Sequence, residues 1–323
     1  MWKTTFRRII MLIPQLIGVT LLIFILAEFM PGDAFSGRFV EDPTIGSERE
    51  EELRELHGLN DPWHIRYTRW VGDMLSGDFG LSLVHRRPVL EMVAERIGNT
   101  LLLSIVSIVI IYSFALPLGI IAGKNWDKPS EKIISFYNFV QMSIPTVVFA
   151  IVLQWFFGII LGILPLRGSI DVRVVNGTFF EIWGSRLQHV ILPALSISLL
   201  SGVSVIRFLS NEINEQRHLD YTVTARAKGL SMDKVYRNHI FRNSMLPIAA
   251  TSGSLIAGLF SGVLIIENIF TFQGMGQLFF TSVSQRDWPI VNFLVVFYSI
   301  LTMAGFLISD IMLTIFDPRI RIK

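Results

Sequence analysis

Residues 100 to 123 read TLLLSIVSIVIIYSFALPLGIIAG, an uninterrupted run of 24 positions without a charged side chain. About 20 helical residues cross a hydrocarbon layer roughly 30 Å thick, and backbone groups in lipid must find partners within their own segment. Five further apolar segments lie at about 9–30, 133–164, 190–209, 247–270 and 289–315. The sequence therefore predicts an all-α integral membrane protein with six transmembrane helices.

The composition of the whole chain agrees with a membrane environment. Of its 323 residues, 51% are hydrophobic and only 17% are charged, and the mean hydropathy is +0.54. One water-soluble core cannot hide so much apolar surface. A net charge of +2 does not suggest a nucleic-acid partner, and the absence of cysteine excludes disulfides and thiolate metal sites.

Lysine is distributed asymmetrically across the predicted spans. All seven lysines fall on one predicted side, at Lys3, Lys124, Lys128, Lys132, Lys228, Lys234 and Lys323. The positive-inside rule makes that side cytoplasmic. Because the number of spans is even, both termini are expected in the cytoplasm.

The polar segments divide the chain into three parts. Residues 1–30 form the cytoplasmic N-terminus and first helix, residues 31–99 an extracytoplasmic insertion, and residues 100–323 a core with helices 2 to 6. A basic cytoplasmic loop at about 210–246 is patterned as two short helices. We expect Asp220 to cap the first, Gly229 to end it as a C′ residue, and Ser231 to start the second.

Two kinds of side chain within the spans bear on packing and on chemistry. The pairs Gly119/Gly123, Gly158/Gly162 and Gly258/Gly262 have the small-xxx-small spacing that lets membrane helices approach closely. The chain contains no HExxH motif, and its spans contain no paired carboxylates. We therefore expect no catalytic residue, no cofactor site and no metal site in this chain.

The loop at 210–246 carries a specific motif. Residues 220 to 230 read DYTVTARAKGL, which resembles the D-Y-x-x-T-A-R-A-K-G-L form of the EAA loop in oligopeptide and dipeptide ABC importer permeases. The resemblance implies that this loop is the coupling helix, which sits in a cleft of an ATPase subunit. The implied ATPase-coupling residues are Asp220, Tyr221, Thr224, Ala225, Arg226, Ala227, Lys228, Gly229 and Leu230.

Further motifs of the same family follow in order along nearly the whole chain. They include SGDFGLS at 76–82, SIP at 143–145, Glu267, GMG at 274–276, RDWP at 286–289 and DPRIR at 317–321. The long segment after the first helix resembles the B-type subunit of the peptide and nickel importer group. The loop at 274–289 resembles an external loop near the path entrance, so Gly274, Gly276, Arg286 and Asp287 are predicted to contact the binding protein or the substrate.

The resemblance also implies a fold, partners and a location. The fold is that of a type I ABC importer permease, embedded in the bilayer of the bacterial inner membrane. The implied partners are a homologous sister permease, two ABC ATPases and an extracytoplasmic peptide-binding protein. ATP and Mg²⁺ belong to the ATPases, so hydrolysis takes place outside this chain.

Two alternatives to peptide import remain open at this stage. Nickel and other metal-complex importers use closely similar permeases. A stand-alone channel or ion-coupled carrier is a different class, and it would usually show an ionisable residue or a broken helix near the midplane. The charged residues in the spans are confined to the ends, as with Glu267. The sequence does not identify the substrate.

Overall fold

The computed structural model describes residues 2–29, 52, 54–56 and 58–316. Within them the chain is helical, with an isolated bridge between Leu81 and Pro88 and no longer strand. The helices are α1 Trp2–Phe29, α2 Trp63–Ser76, α3 Val89–Lys124, α4 Pro129–Ser143, α5 Thr146–Leu153, α6 Phe179–Gln216, α7 Asp220–Ala227, α8 Met232–Val235, α9 Phe241–Ile269, α10 Met275–Ser284 and α11 Trp288–Phe316. Two π-helical segments, Gln154–Ile160 and Tyr236–Ile240, and a 3₁₀ turn, Val172–Val174, complete the helical structure.

The chain forms two compact units, Met1–Gly98 with Gln277–Leu301, and Asn99–Gly276 with Thr302–Lys323. In the first unit α2 packs on α1. The Phe24 ring lies 5.2 Å from the Tyr67 ring and 5.4 Å from the Trp70 ring, measured between centroids. The hydroxyls of Thr20 and Tyr67 are 3.0 Å apart, so a polar contact fixes the same pair of helices.

In the second unit α6 lies at the centre of the core, against α3 on one side. A Cβ atom added to Gly123 would lie 2.6 Å from Ile213, and one added to Gly119 would lie 3.1 Å from Leu209. The predicted close approach at this glycine pair is thereby confirmed. At the pair 158/162 the prediction is wrong, because a Cβ at residue 158 would meet Leu166 of the loop that follows. The side chains at 258 and 262 lie outside the described residues.

The third predicted span is not one straight helix. It consists of Pro129–Ser143 and Thr146–Ile160, which meet at an angle of 100°. Pro145 supplies no backbone donor and disfavours helical geometry at the residue before it, and Ile144 is extended, with φ −100° and ψ 121°. Pro193, by contrast, lies within continuous α6.

Within the described residues three helices are long and apolar enough to cross a membrane, Val89–Lys124, Phe179–Gln216 and Trp288–Ser309, and the bent pair makes a fourth candidate. The first predicted span contributes a shorter apolar stretch, Ile13–Leu26. The fifth predicted span falls on α9, where the side chains at 249–252 and 254–262 lie outside the described residues. The count of six, and the extent of the insertion at 31–99, stay predictions.

Candidate functional site

The candidate site is a helical hairpin, residues 219–240, which consists of α7, a tight turn, α8 and a π-helical turn. Helix α7 begins at Asp220 itself, and Leu219 occupies the N-cap position in an extended conformation. The prediction that Asp220 caps this helix is therefore wrong by one residue. Its carboxylate still lies in the first turn, where the helix dipole favours a negative charge.

The turn that ends α7 is a Schellman motif built around Gly229. Lys228 is the C-cap, and Gly229 follows with φ +85°, a conformation that a residue with a Cβ seldom adopts. The amide of Gly229 donates to the carbonyl of Arg226 at 2.9 Å, and the amide of Leu230 donates to the carbonyl of Ala225 at 3.4 Å. This confirms the prediction of a C′ glycine.

One face of α7 is attached to the end of α6. The Thr222 hydroxyl donates to the carbonyl of Gln216 at 2.9 Å, and the Tyr221 hydroxyl donates to the side-chain oxygen of Gln216. Thr222 and Ala225 are buried, and Ala225 belongs to the hydrophobic core that contains Ile213 of α6. The inner face is thus held by both polar and apolar contacts.

The opposite face of the hairpin is open to solvent. The exposed residues of the hairpin include Asp220, Val223, Thr224, Arg226, Ala227, Lys228, Gly229, Leu230 and Met232. Val223 is 59% exposed although it is apolar. Seven of the nine predicted coupling residues lie on this surface, whereas Tyr221 is half-buried and Ala225 is buried. Small, apolar and cationic side chains without cover are suited to a protein interface.

The second helix of the hairpin is not a separate short helix, so that part of the prediction is wrong. Ser231 is the N-cap of α8 as expected, but α8 continues through the π-helical turn into α9 without a break. Val235 and Ile240 are fully buried in the core. Burial raises the pKa of Tyr236 to about 12. A continuous helix therefore joins the hairpin to a predicted span.

A second group of motif residues surrounds Asp287 in the first unit. The carboxylate of Asp287 is fully buried. It accepts hydrogen bonds from the Ser82 hydroxyl at 2.5 Å and from the amides of Leu83 and Val84 at 3.1 Å and 3.4 Å. The Ser82 hydroxyl oxygen in turn accepts a hydrogen bond from the amide of His85 at 2.8 Å. We call these five residues the Asp287 cluster.

A third group surrounds Glu267 in the second unit. The Thr100 hydroxyl donates a hydrogen bond to the Glu267 carboxylate at 2.7 Å and accepts one from the amide of Met275 at 2.8 Å. A Cβ at Gly274 would overlap the Glu267 carboxylate, and one at Gly276 would lie 2.5 Å from the Cα of Leu264. Glu267, Thr100, Gly274, Met275 and Gly276 form the Glu267 cluster, and all five are buried.

The structure places the four predicted entrance residues unevenly. Gly274, Gly276 and Asp287 are buried in this chain, and only Arg286 is partly exposed. Sequence reasoning missed the partners of the two carboxylates, Ser82 and Thr100. In the sequence, Ser82 stands only within a motif that resembles the family, and no local pattern connects it with residue 287.

The chain is similar to known transport proteins over most of its length. Residues 115–322 match the family described as the inner membrane component of binding-protein-dependent transport systems. The oligopeptide transport system permease protein AppB of Bacillus subtilis is 36% identical over 97% of this chain and 98% of its own length. The dipeptide transport system permease protein DppB of Lactococcus lactis is 30% identical over the whole of both chains. The glutathione transport system permease protein GsiC of Escherichia coli is 30% identical over 98% of both.

Solved structures show the same fold at lower identity. A chain of the inward-facing MetNI methionine ABC transporter superimposes with a TM-score of 0.51 at 14% identity, over 69% of this chain and 97% of that one. A chain of an amino acid ABC transporter crystallised with histidines superimposes with a TM-score of 0.50 at 14% identity, over 69% of this chain and 94% of that one. The chain therefore has the fold of an ABC importer permease. This chain belongs to the family of binding-protein-dependent transport system inner membrane components.

Proposed function

We propose that this permease subunit imports peptides, with oligopeptides or dipeptides as the substrate class, and that the exposed face of the helical hairpin receives the ATPase. The surface that carries the proposal is the solvent-open side of α7, which includes Val223, Arg226 and Lys228. The names of three relatives, an oligopeptide, a dipeptide and a glutathione permease, support peptide cargo. Glutathione is itself a small peptide.

The proposed assembly places this chain beside a homologous sister permease, with the translocation path between them. Two ATPase subunits bind ATP and Mg²⁺ on the cytoplasmic side, and a peptide-binding protein delivers substrate from the other side. The one-sided lysine distribution supports cytoplasmic termini and a cytoplasmic hairpin. The inner-membrane description of the family supports this location.

In the proposed mechanism, ATP-driven closure of the ATPases moves the hairpin, and the hairpin moves the membrane helices. Contacts of Thr222 and Ala225 with the α6 region tie α7 to one long helix. The other arm of the hairpin, α8, continues without a break into α9 and is thereby connected to a second long helix. A hairpin held at both arms transmits displacement instead of absorbing it, which suits a gate driven from outside the membrane.

The burial of the predicted entrance residues supports a positioning role for most of them. Gly274 and Gly276 allow the chain to pass close to Glu267. Asp287 holds the segment of Ser82 through hydrogen bonds. Arg286 is partly exposed and is the residue we propose for contact with the binding protein or the substrate.

The test is ATP-dependent uptake by proteoliposomes that contain the complete transporter. The variant Val223→Asp replaces an apolar side chain with a charge on the exposed docking face, where taking that charge out of water against an ATPase is costly. We expect uptake of a labelled peptide to fall more than about tenfold, a loss of roughly 1.4 kcal/mol in coupling or more. The matched control is Val172→Asp, which changes a valine that is 87% exposed and far from α7 in sequence.

Three outcomes contradict the proposal. If the transporter with Val223→Asp takes up peptide at the full rate, the hairpin is not the docking site for the ATPase. Uptake of a nickel complex in place of peptide by the wild-type transporter identifies the other substrate class. Accumulation of solute by vesicles that hold this chain alone, without an ATPase, excludes the importer mechanism.

A further inference from the structure

A cavity of about 350 Å³ lies where the end of α3 meets the beginning of the α8–α9 helix. Ile120, near the end of α3, and Phe241, the first residue of α9, contribute apolar wall. Lys124, the last residue of α3, also lines it. The cavity therefore combines the end of an apolar membrane span with charged side chains.

The charge in this cavity is unbalanced. Lys234 and Arg237 lie there with Lys124, and all three are exposed, whereas Asp233 is the one carboxylate among the lining residues. In the described part of the chain none of the three cations takes part in an ion pair. Three cations against one carboxylate leave a net positive site, which favours an anionic ligand.

A buried hydroxyl lies in the same wall. Tyr236 lines the cavity and is 7% exposed, and among the described residues its hydroxyl has no hydrogen-bond partner. The ammonium group of Lys124 lies 4.1 Å from the centroid of the Tyr236 ring. A buried polar atom without a partner is uncommon in a folded protein, so this hydroxyl is an unsatisfied polar group beside the cavity.

We propose that this cavity binds the phosphate headgroup of an anionic membrane phospholipid. The three cations supply charge for the phosphate, and Ile120 and Phe241 supply apolar surface for the glycerol and the first acyl carbons. Basic pockets at the ends of membrane helices are suited to anionic headgroups. Such a lipid bridges α3 to the base of the helical hairpin, which goes beyond the transport function proposed above.

The experiment uses the full-length chain with its co-assembling subunits, in nanodiscs of phosphatidylcholine with or without phosphatidylglycerol. Native mass spectrometry counts the phosphatidylglycerol retained after transfer to detergent, and thermal unfolding measures the stabilisation that it provides. We expect wild-type protein to retain phosphatidylglycerol in preference to phosphatidylcholine. The double variant Lys234→Gln, Arg237→Gln is expected to lose about fivefold in retention for each cation removed.

The matched control is Lys128→Gln with Lys132→Gln, which removes two exposed lysines that do not line the cavity. This control is expected to retain lipid as the wild type does. If both double variants lose the same amount of phosphatidylglycerol, the lipid is attracted by surface charge in general and the proposal is overturned. If the wild type retains phosphatidylcholine as well as phosphatidylglycerol, the cavity does not select an anionic headgroup and the proposal is also overturned. Displacement of the lipid by millimolar inorganic phosphate overturns it in favour of a free-phosphate site.

A cross-link from Lys234→Cys to an acidic segment of an ATPase, in place of lipid retention, also overturns the proposal. Because lipid retention is measured without transport, these outcomes are independent of peptide uptake. Failure of the lipid site leaves the permease function intact, and failure of peptide uptake leaves the lipid site intact.

Discussion

The helical hairpin and the two carboxylate clusters place their motif residues in opposite environments. The hairpin exposes Val223, Arg226 and Lys228. The clusters bury Asp287 and Glu267 completely, each with hydrogen-bond donors. Both regions carry short motifs that resemble those of peptide permeases, so a motif alone does not distinguish an interface from a folding element. From this difference we expect substitutions in the clusters to reduce stability, and substitutions on the exposed face of the hairpin to reduce the proposed coupling.

The largest loss of stability is expected for Gly274→Ala. Its added methyl group would overlap the buried Glu267 carboxylate, and displacing that carboxylate would disturb its hydrogen bond with Thr100. We expect a loss of more than about 3 kcal/mol in the free energy of unfolding. Thermal unfolding in detergent and the yield of folded protein measure this loss.

Gly72→Ala is the matched control, because a Cβ there meets nothing within 4 Å. It lies in helix α2, where alanine is favoured over glycine, so stability should stay constant or rise slightly. A Gly274→Ala protein as stable as this control would show that the Glu267 cluster is not tightly packed.

A smaller loss is expected for Asp287→Ala. The change leaves the Ser82 hydroxyl and the amides of Leu83 and Val84 without their acceptor in a buried site. Hydrogen bonds to a charged group contribute about 1.5–3 kcal/mol, so we expect a loss of about 2–3 kcal/mol. Thermal unfolding again measures it.

Asp78→Ala is the comparison for that variant. Its carboxylate accepts one exposed hydrogen bond, from the amide of Gly80 at 2.9 Å. The expected cost is less than about 0.5 kcal/mol, since exposed substitutions seldom cost more. Equal losses in the two aspartate variants would remove the distinction between buried and exposed motif residues.

The smallest and most local effect is expected for Gly229→Ala. Alanine is strained at φ +85°, which costs about 1 kcal/mol, although its Cβ would meet nothing within 4 Å. We expect hairpin amides to exchange about fivefold faster with deuterium, while the global unfolding temperature stays the same. Asparagine tolerates this conformation better, so Gly229→Asn should exchange more slowly than Gly229→Ala.

If Gly229→Ala reduced global stability as much as Gly274→Ala does, the contrast between the hairpin and the Glu267 cluster would not hold. The hairpin would then belong to the folding core. Retained stability with reduced peptide uptake would sharpen the comparison, because the defect would lie in coupling alone.

The local features of this protein could be predicted from its sequence. Gly229 ends α7 because glycine is the residue that suits a left-handed C′ position, and Pro145 breaks a helix because it disfavours helical geometry before it. Gly119 and Gly123 allow close packing because they lack side chains. The first two effects act within a few residues of their cause, and the third is predicted from the spacing of two glycines on one helix, although their packing partners lie far away in sequence.

The polar pairs could not be predicted, because their partners are distant in sequence. Ser82 and Asp287 are 205 residues apart, and Thr100 and Glu267 are 167 apart. No periodicity connects such positions. The continuation of α8 into α9 was also missed, because a polar, basic segment looks like a loop until its helical hydrogen bonds are seen.

The π-helical turn at Tyr236–Ile240 has a consequence for how the two ends of one helix are oriented. Such a turn holds one residue more than an α-helical turn. One extra residue shifts every later side chain by roughly 100° around the axis. The face that α9 presents therefore differs by that angle from the face an unbroken α-helix would present. Removing a single amino acid here would rotate α9 relative to the helical hairpin by that angle without changing any other residue.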